Sequence, residues 1–251
     1  MKYIRFEKEG AVKYGILEKG LIHETENRPF GSIKKTGLRF KPGDVRLLAP
    51  VTASKIIAVG LNYTDHAKEL KMPLPAEPLI FLKPPSSITG PGEAIYYPRE
   101  SRRVDYEAEM AVVIKKKAYR VPYQEADNYI FGYTCLNDVT ARDLQKKDAQ
   151  WTRSKSFDTF CPVGPYVETE ADPSSLKIEA FLNKTPKQSS NTSNMIFGPR
   201  RLIEYISGIM TLEAGDIIAT GTPAGVGPMV PGDKVEVKIE GLGSLINYVE
   251  G

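Results

Sequence analysis

Apolar and polar residues alternate most regularly over residues 105–114, and this period of two predicts a β-strand. Successive side chains of a strand point to opposite faces, so Glu107 and Glu109 share one face, with Cα atoms about 6.6 Å apart. The other face is apolar and predicts contact with a core; it consists of Tyr106, Ala108, Met110, Val112 and Ile114. The sequence therefore predicts two carboxylates side by side on one face of a sheet.

Two interpretations of this Glu-x-Glu pair are open from the strand alone. The pair can be the solvated face of a half-exposed strand. If it is partly buried, the two charges repel each other and lose hydration unless a cation lies between them. Ligands that are all oxygen favour Mg²⁺, with Mn²⁺ or Ca²⁺ as alternatives, over zinc. A second apolar strand, at residues 129–136, ends next to Asp138, and functional residues are often found at such strand ends.

Short strands separated by turns predict a small β-rich module over residues 1–48. A larger domain is predicted over residues 49–251, beginning with an apolar strand at residues 55–60. We find no internal repeat in either part.

A short helix is predicted at residues 62–70, with Asn62 or Thr64 as its N-cap. His66 and Glu69 are three residues apart and would share one face of it. The carboxylate could orient the imidazole to activate a water, or the two could form an incidental surface ion pair.

A second helix is predicted at residues 139–150, with Asp138 as its N-cap. Arg142 and Gln145 lie three residues apart on this helix and could together hold the carboxylate of a substrate. Lys155 follows in a polar loop, where it could stabilise an oxyanion or simply be solvated.

A glycine-rich loop at residues 221–227 lacks the Gly-Lys-Ser/Thr ending of a phosphate-binding loop. Its glycines would instead allow backbone amides and the Thr222 hydroxyl to approach a small anion.

Composition excludes several classes of protein. The chain has 251 residues, of which 41% are hydrophobic and 26% charged, with a net charge of +3, as expected for an ordinary soluble protein. We see no basic stripe for nucleic acid, no membrane span and no export signal, so a cytoplasmic location is expected. The two cysteines, Cys135 and Cys161, are expected to be reduced core thiols.

Five segments in order resemble the fumarylacetoacetate hydrolase family, and the likeness covers residues 50–250. These segments are Gly60-Leu61-Asn62-Tyr63 with Asp65, His66 and Glu69; Asp105-Tyr106-Glu107-Ala108-Glu109; Asn137-Asp138-Val139-Thr140-Ala141-Arg142-Asp143; Lys155-Ser156-Phe157; and Gly221-Thr222-Pro223-Ala224-Gly225-Val226-Gly227. The resemblance implies a mainly β (α+β) fold, a mixed β-roll or sandwich, that usually forms a homodimer.

The resemblance also implies roles for individual residues. Glu107, Glu109 and Asp138 match the metal ligands of the family. His66 and Glu69 match its water-activating pair on a mobile lid, and Lys155 its active-site lysine. The positions that hold the carboxylate and oxo groups of the substrate are matched by Arg142, Gln145 and Thr222.

The function expected from this resemblance is a Mg²⁺-dependent hydrolase that cleaves a carbon–carbon bond in a small acylpyruvate. The alternatives are an isomerase or tautomerase, or a decarboxylase, of a related 2-oxo diacid, because all three reactions pass through the same kind of enolate. A non-catalytic protein that binds a small anion is disfavoured, since simple binding requires neither His66 nor Glu69.

Overall fold

The structure is a computed structural model that describes residues 1–26, 29–31 and 33–251. The strands of the first part of the chain are β1 (Lys2–Lys8), β2 (Ala11–Glu18), β3 (Leu21–Thr25), β4 (Lys35–Phe40), β5 (Arg46–Leu48), β6 (Ile56–Gly60), β7 (Leu79–Lys83), β8 (Ile88–Thr89), β9 (Ala94–Tyr96), β10 (Val104–Tyr106) and β11 (Ala108–Ile114). Helix α1 (Thr64–Glu69) connects β6 to β7.

The second part of the chain is also rich in strands. They are β12 (Ile130–Asn137), β13 (Thr140–Ala141), β14 (Cys161–Glu168), β15 (Lys177–Leu182), β16 (Thr185–Asn191), β17 (Ile217–Ala219), β18 (Gly227–Met229), β19 (Lys234–Ile239) and β20 (Gly243–Glu250). The helices are α2 (Arg142–Lys147), α3 (Thr152–Lys155) and α4 (Pro199–Ile209). The mainly β fold predicted from the sequence is confirmed.

Three sheets account for these strands. A 12-stranded sheet has the order β4-β3-β2-β1-β14-β12-β11-β17-β6-β7, with β5 paired to β1 and β8 paired to β14. A five-stranded sheet has the order β16-β15-β19-β20-β9, and a small sheet joins β13, β10 and β18. Most neighbours are antiparallel, but β17 and β6 are parallel, so the large sheet is mixed. Helix α1 lies between the antiparallel strands β6 and β7, α2 and α3 lie between β13 and β14, and α4 lies between β16 and β17.

Strand β11 is buried on both faces. Its predicted apolar row faces the larger of the hydrophobic clusters, together with residues of β12, β15, β19, β20 and α4. The opposite face contributes Ala111 and Val113 to a second cluster with residues of β6, β14 and β17. Glu107 and Glu109 continue this second face, so they lie inside the protein. The interpretation of the pair as a solvated face is therefore wrong.

The N-terminal strands extend the large sheet. β1 pairs antiparallel with β14, with Lys2 opposite Glu168 and Tyr3 opposite Val167. β2 occupies the other edge of β1, so β5 pairs with the same edge as β14, further along the strand at Arg5–Glu7; the last residue of β5, Leu48, is buried. Among the residues that the structure describes, no helix combines the length and the apolar composition needed to cross a membrane.

Candidate active site

Strand pairing brings three carboxylates together at one end of β11 and β12. Ala108 lies opposite Asn137 in this antiparallel pair, so its neighbours Glu107 and Glu109 lie beside the residue that follows β12, Asp138. The Asp138 N–H also donates to the Glu107 carbonyl at 2.9 Å. One carboxylate oxygen from each of these three residues lies within 4.8 Å of the others, and all three side chains are buried. We call Glu107, Glu109 and Asp138 the acidic triad.

Two buried lysines neutralise much of the charge of this triad. Lys155, at the end of α3, lies with Nζ 2.9 Å from Glu107 Oε2 and 2.6 Å from Asp138 Oδ2. Lys83, the last residue of β7, lies with Nζ 2.6 Å from Asp138 Oδ1. Both lysines are almost fully inaccessible to solvent. The contacts reduce the cost of burying Glu107 and Asp138, because each of these two carboxylates has an opposite charge in direct contact.

The pKa values of the two glutamates of the triad are shifted in opposite directions. Burial alone would raise the pKa of Glu107, but the charges of Lys155 and Arg142 outweigh it and lower that pKa to about 2. Burial raises the pKa of Glu109 well above its usual value, and the charges of Asp138 and Glu107 raise it further. Burial would lower the pKa of Lys155, but Asp138 and Glu107 raise it, so its ammonium form is favoured.

The donor set of the triad fits a hard divalent cation. It consists of carboxylate oxygens alone, which suits Mg²⁺ or Mn²⁺ better than zinc. Glu109 Oε2 accepts from the Gly221 N–H at 2.8 Å, which orients this carboxylate. Besides burial, the charges of Asp138 and Glu107 raise the pKa of Glu109, and a cation at the triad would offset these charges.

Helix α1 places a histidine at the same cavity. His66 Nδ1 lies 2.9 Å from Glu69 Oε2, so the predicted pair is in contact, and within the described residues Nε2 makes no hydrogen bond. Glu69 also accepts from the Gly225 N–H at 3.1 Å. The N-cap of α1 is Tyr63, with no side-chain cap. Neither predicted cap has this role: Thr64 is the first residue of the helix, and the Asn62 side chain instead binds the Phe197 backbone N–H and carbonyl and the Thr220 carbonyl.

Helix α2 presents the predicted Arg–Gln pair. Arg142 Nη1 donates to Gln145 Oε1 at 2.6 Å, and Arg142 Nε donates to Asp105 Oδ2 at 2.9 Å. A third contact joins Arg142 Nη2 to Glu107. The helix begins at Arg142 after Ala141, so the prediction that Asp138 caps it is wrong: both oxygens of Asp138 bind lysines.

These elements enclose one cavity of about 530 Å³. Eight of the nine predicted site residues line it, and the ninth, Glu69, forms a hydrogen bond with His66. The predicted residues in the lining are His66, Glu107, Glu109, Asp138, Arg142, Gln145, Lys155 and Thr222.

The remaining lining is largely apolar. Trp151 packs edge-on against Phe81, with ring centroids 5.3 Å apart. Gly60 makes room for this wall, because a Cβ at that position would lie 2.9 Å from the Trp151 ring. Exposed apolar residues that follow α1 complete the rim, namely Leu70, Met72 and Leu74.

Lys83 is a charged residue of the site that sequence reasoning missed. It ends the apolar strand Leu79–Lys83, and lysines at strand ends are usually solvated. The local sequence shows only that Lys83 lies between four strand residues and Pro84. Its partner, Asp138, is 55 positions away in sequence, so the local pattern does not indicate the contact.

Comparison with known proteins identifies the family. The model of the fumarylacetoacetate (FAA) hydrolase C-terminal domain matches residues 55–250, so the chain belongs to this family. A second model, described as Rv2993c-like, N-terminal, matches residues 1–50.

Among curated relatives, the mitochondrial oxaloacetate tautomerase of Rattus norvegicus is 48% identical over 217 residues, which cover 82% of this chain and 69% of the relative. A crystal structure of 2-hydroxyhepta-2,4-diene-1,7-dioate isomerase from Mycobacterium marinum is 44% identical, with a TM-score of 0.94 over 100% of this chain and 98% of the other.

A more distant structure is informative about metal. Maleylpyruvate hydrolase from Sphingobium sp. SYK-6, in complex with manganese(II) and pyruvate, is 29% identical, with a TM-score of 0.84 over 100% of this chain and 99% of the other. The family thus includes isomerases, tautomerases and hydrolases, and at least one member binds manganese.

Proposed function

We propose that this protein is a divalent-metal-dependent isomerase that interconverts the keto and enol forms of a small 2-oxo acid, with oxaloacetate as the first substrate to test. The observation that carries the proposal is the His66–Glu69 pair. Its contact of 2.9 Å leaves one imidazole nitrogen free at a cavity that also contains three clustered carboxylates. A proton acceptor and a site for a cation at one cavity are the two requirements of enolisation.

The chain's own groups suffice for the proton transfer. His66 Nε2 would accept a proton from the carbon next to the 2-oxo group, and the bonding electrons would move onto the oxygen. Return of that proton to the oxygen gives the enol, so the reaction consumes no water and no co-reactant. Glu69 would stabilise the imidazolium formed in between. A cation held by the acidic triad would polarise the 2-oxo group and stabilise the negative charge that develops there.

Positive charge near the triad would bind and orient the acid. Lys155 favours its ammonium form and is held by Glu107 and Asp138, so it can face a developing oxyanion without a change in protonation. The Gln145 Oε1 is occupied by Arg142, which turns the Gln145 amide hydrogens toward other acceptors. Together Arg142 and Gln145 are suited to the substrate carboxylate.

The comparisons favour isomerisation over the hydrolysis expected from the sequence. The relatives at 44% and 48% identity are named as an isomerase and a tautomerase, whereas the structures named as a fumarylacetoacetate hydrolase and a maleylpyruvate hydrolase are 37% and 29% identical. Hydrolysis is the second candidate, because a histidine that accepts a proton from carbon could also accept one from water.

The test measures conversion of enol to keto oxaloacetate by proton NMR and ultraviolet absorbance, with protein and Mg²⁺ together. Controls are Mg²⁺ without protein and protein with EDTA, since the free metal also promotes enolisation. We expect a rate above that of Mg²⁺ alone only when protein and metal are both present. The same spectra report pyruvate, which would indicate decarboxylation. Acetylpyruvate tested in parallel would yield acetate and pyruvate if the protein is instead a hydrolase. Equal rates with and without protein would contradict the proposal.

A further inference from the structure

Gln188 joins three segments around the candidate site, although its sequence context is only a polar stretch. It lies in β16 and its side chain is buried. The backbone N–H of Ala108 donates to Gln188 Oε1 at 2.9 Å. In turn, Gln188 Nε2 donates to Thr222 Oγ1 and to the Pro223 carbonyl, each at 2.8 Å. Ala108 separates Glu107 from Glu109, so Gln188 connects the acidic triad to the loop that carries Thr222.

The chemistry of these partners leaves one orientation for the amide. A backbone N–H can only donate and a carbonyl oxygen can only accept, so Oε1 must face Ala108 and Nε2 must face Pro223. The Nε2 group has two hydrogens, one for the Pro223 carbonyl and one for the Thr222 oxygen. The Thr222 hydroxyl therefore accepts from Gln188, and its own hydrogen is directed elsewhere.

That hydrogen has no acceptor in the described part of the protein. Within residues 1–26, 29–31 and 33–251, we find no hydrogen bond donated by the Thr222 hydroxyl. Thr222 lines the cavity together with His66 and the acidic triad. A buried hydroxyl that has accepted one hydrogen bond and kept its own hydrogen is prepared to donate to a ligand in that cavity.

We infer that Gln188 is a positioning residue that sets the Thr222 hydroxyl as a hydrogen-bond donor to an acceptor oxygen of the substrate, a carboxylate or enolate oxygen. This inference rests on the proposed active site. Without Gln188, the hydroxyl would be free to rotate and donate to the Pro223 carbonyl, which would itself have lost its partner. The Thr222 oxygen would then present a lone pair to the substrate oxygen and repel it.

The test measures the affinity of oxalate for the manganese-loaded protein by calorimetry. Oxalate is a planar dianion whose oxygens only accept hydrogen bonds, and its binding requires no turnover. We expect Thr222→Val to lower oxalate affinity roughly tenfold, the value of one hydrogen bond to a charged group. Gln188→Met should lower it by a similar factor, and the double variant should bind no more weakly than Thr222→Val alone. Thr222→Ser, which keeps the hydroxyl, should bind nearly as well as the unmodified protein.

Two controls separate positioning from general support of the fold. Manganese affinity without oxalate, measured by electron paramagnetic resonance, should stay within about threefold in every variant, because the triad itself is retained. Asn247→Leu is the matched control. Asn247 is also a buried amide that donates to two carbonyls, those of Gly90 and Glu93, but it lies outside the cavity lining. This variant should lose stability and keep its oxalate affinity.

Three results would overturn the inference. The first is that Gln188→Met weakens oxalate binding as strongly in the Thr222→Val background as in the unmodified protein. The second is that it weakens manganese binding by the same factor as oxalate binding. The third is that it has no effect on oxalate.

If Gln188→Met does not fold, Gln188→Glu tests the same point. A glutamate at position 188 would accept a hydrogen bond from the Thr222 hydroxyl. Gln188→Glu should therefore lower oxalate affinity by a larger factor when Thr222 is present than when it is replaced in Thr222→Val. The effect of the added charge is common to both backgrounds and cancels in this comparison. A protein without tautomerase activity that still shows the coupling would refute the proposed reaction and leave the role of Gln188 intact.

Discussion

The acidic triad and helix α1 border the same cavity, but they are held in place by different means. The triad lies on paired strands, is buried, and is bound by Lys83 and Lys155. Helix α1 has six residues, its Glu69 side chain is 42% exposed, and the chain after it exposes several apolar side chains. The ligand-holding region therefore depends on buried charge pairs, whereas the proton-transferring region depends on a few local hydrogen bonds.

This difference predicts which properties a substitution in each region should change. Changes within the triad should alter stability, metal affinity and activity together, since the same carboxylates serve all three. Changes at His66 should alter activity alone. Changes in the apolar wall should alter substrate binding.

The largest effect is expected for Asp138→Ala. The change removes one triad carboxylate and leaves the buried Lys83 without an anionic partner. The free energy of unfolding should fall by about 3–5 kcal/mol, and manganese binding should be lost. Denaturant unfolding and electron paramagnetic resonance measure the two effects.

Asp148→Ala is the matched control, because Asp148 pairs with Arg153 at the surface. It should change neither quantity appreciably, since exposed ion pairs contribute little. Manganese affinity preserved in Asp138→Ala would show that the carboxylate is no ligand.

A smaller, purely catalytic effect is expected for His66→Ala. Loss of a general base should lower kcat by roughly two to four powers of ten, while metal affinity stays the same because His66 contacts Glu69 and none of the triad through a hydrogen bond or ion pair. Steady-state kinetics on oxaloacetate measure the change. His23→Ala, which removes the other histidine of the chain from β3, should leave kcat unaltered. Turnover at the unmodified rate in His66→Ala would remove this residue from the mechanism.

The smallest effect is expected for Gly60→Ala. The added methyl group would lie 2.9 Å from the Trp151 ring, so the ring must shift. We expect a higher KM with kcat nearly unchanged and a loss of stability of about 1–3 kcal/mol. For comparison, Gly208→Ala in α4 meets no atom within 4 Å and should leave both kinetic constants unaffected. An unchanged KM in Gly60→Ala would show that the wall does not contact the substrate.

Several features of the site could be predicted because they depend on local sequence. Alternation between Tyr106 and Ile114 predicted the apolar face of β11, since side-chain direction in a strand follows from backbone geometry alone. The spacing of His66 and Glu69 predicted their contact for the same reason in a helix.

Other features depend on residues that are far apart in sequence. Asp138 looked like a helix cap because aspartate commonly has that role, but its oxygens are taken by Lys83 and Lys155. Lys83 has no local signal of its buried position, because its partner Asp138 is 55 positions away. Gln188 lies between lysine and serine and shows no local signal of its bonds to Ala108 and Thr222.

The sequence by itself determined the strand-rich class of the fold, the family and the chemical types of the site residues, because periodicity and motif order are properties of the chain. The tertiary structure alone decided which charges are buried, which lysine neutralises which carboxylate, and which way the Thr222 hydroxyl points. These depend on desolvation and on hydrogen-bond partners contributed by distant strands, and such partners are defined only after the sheets have formed.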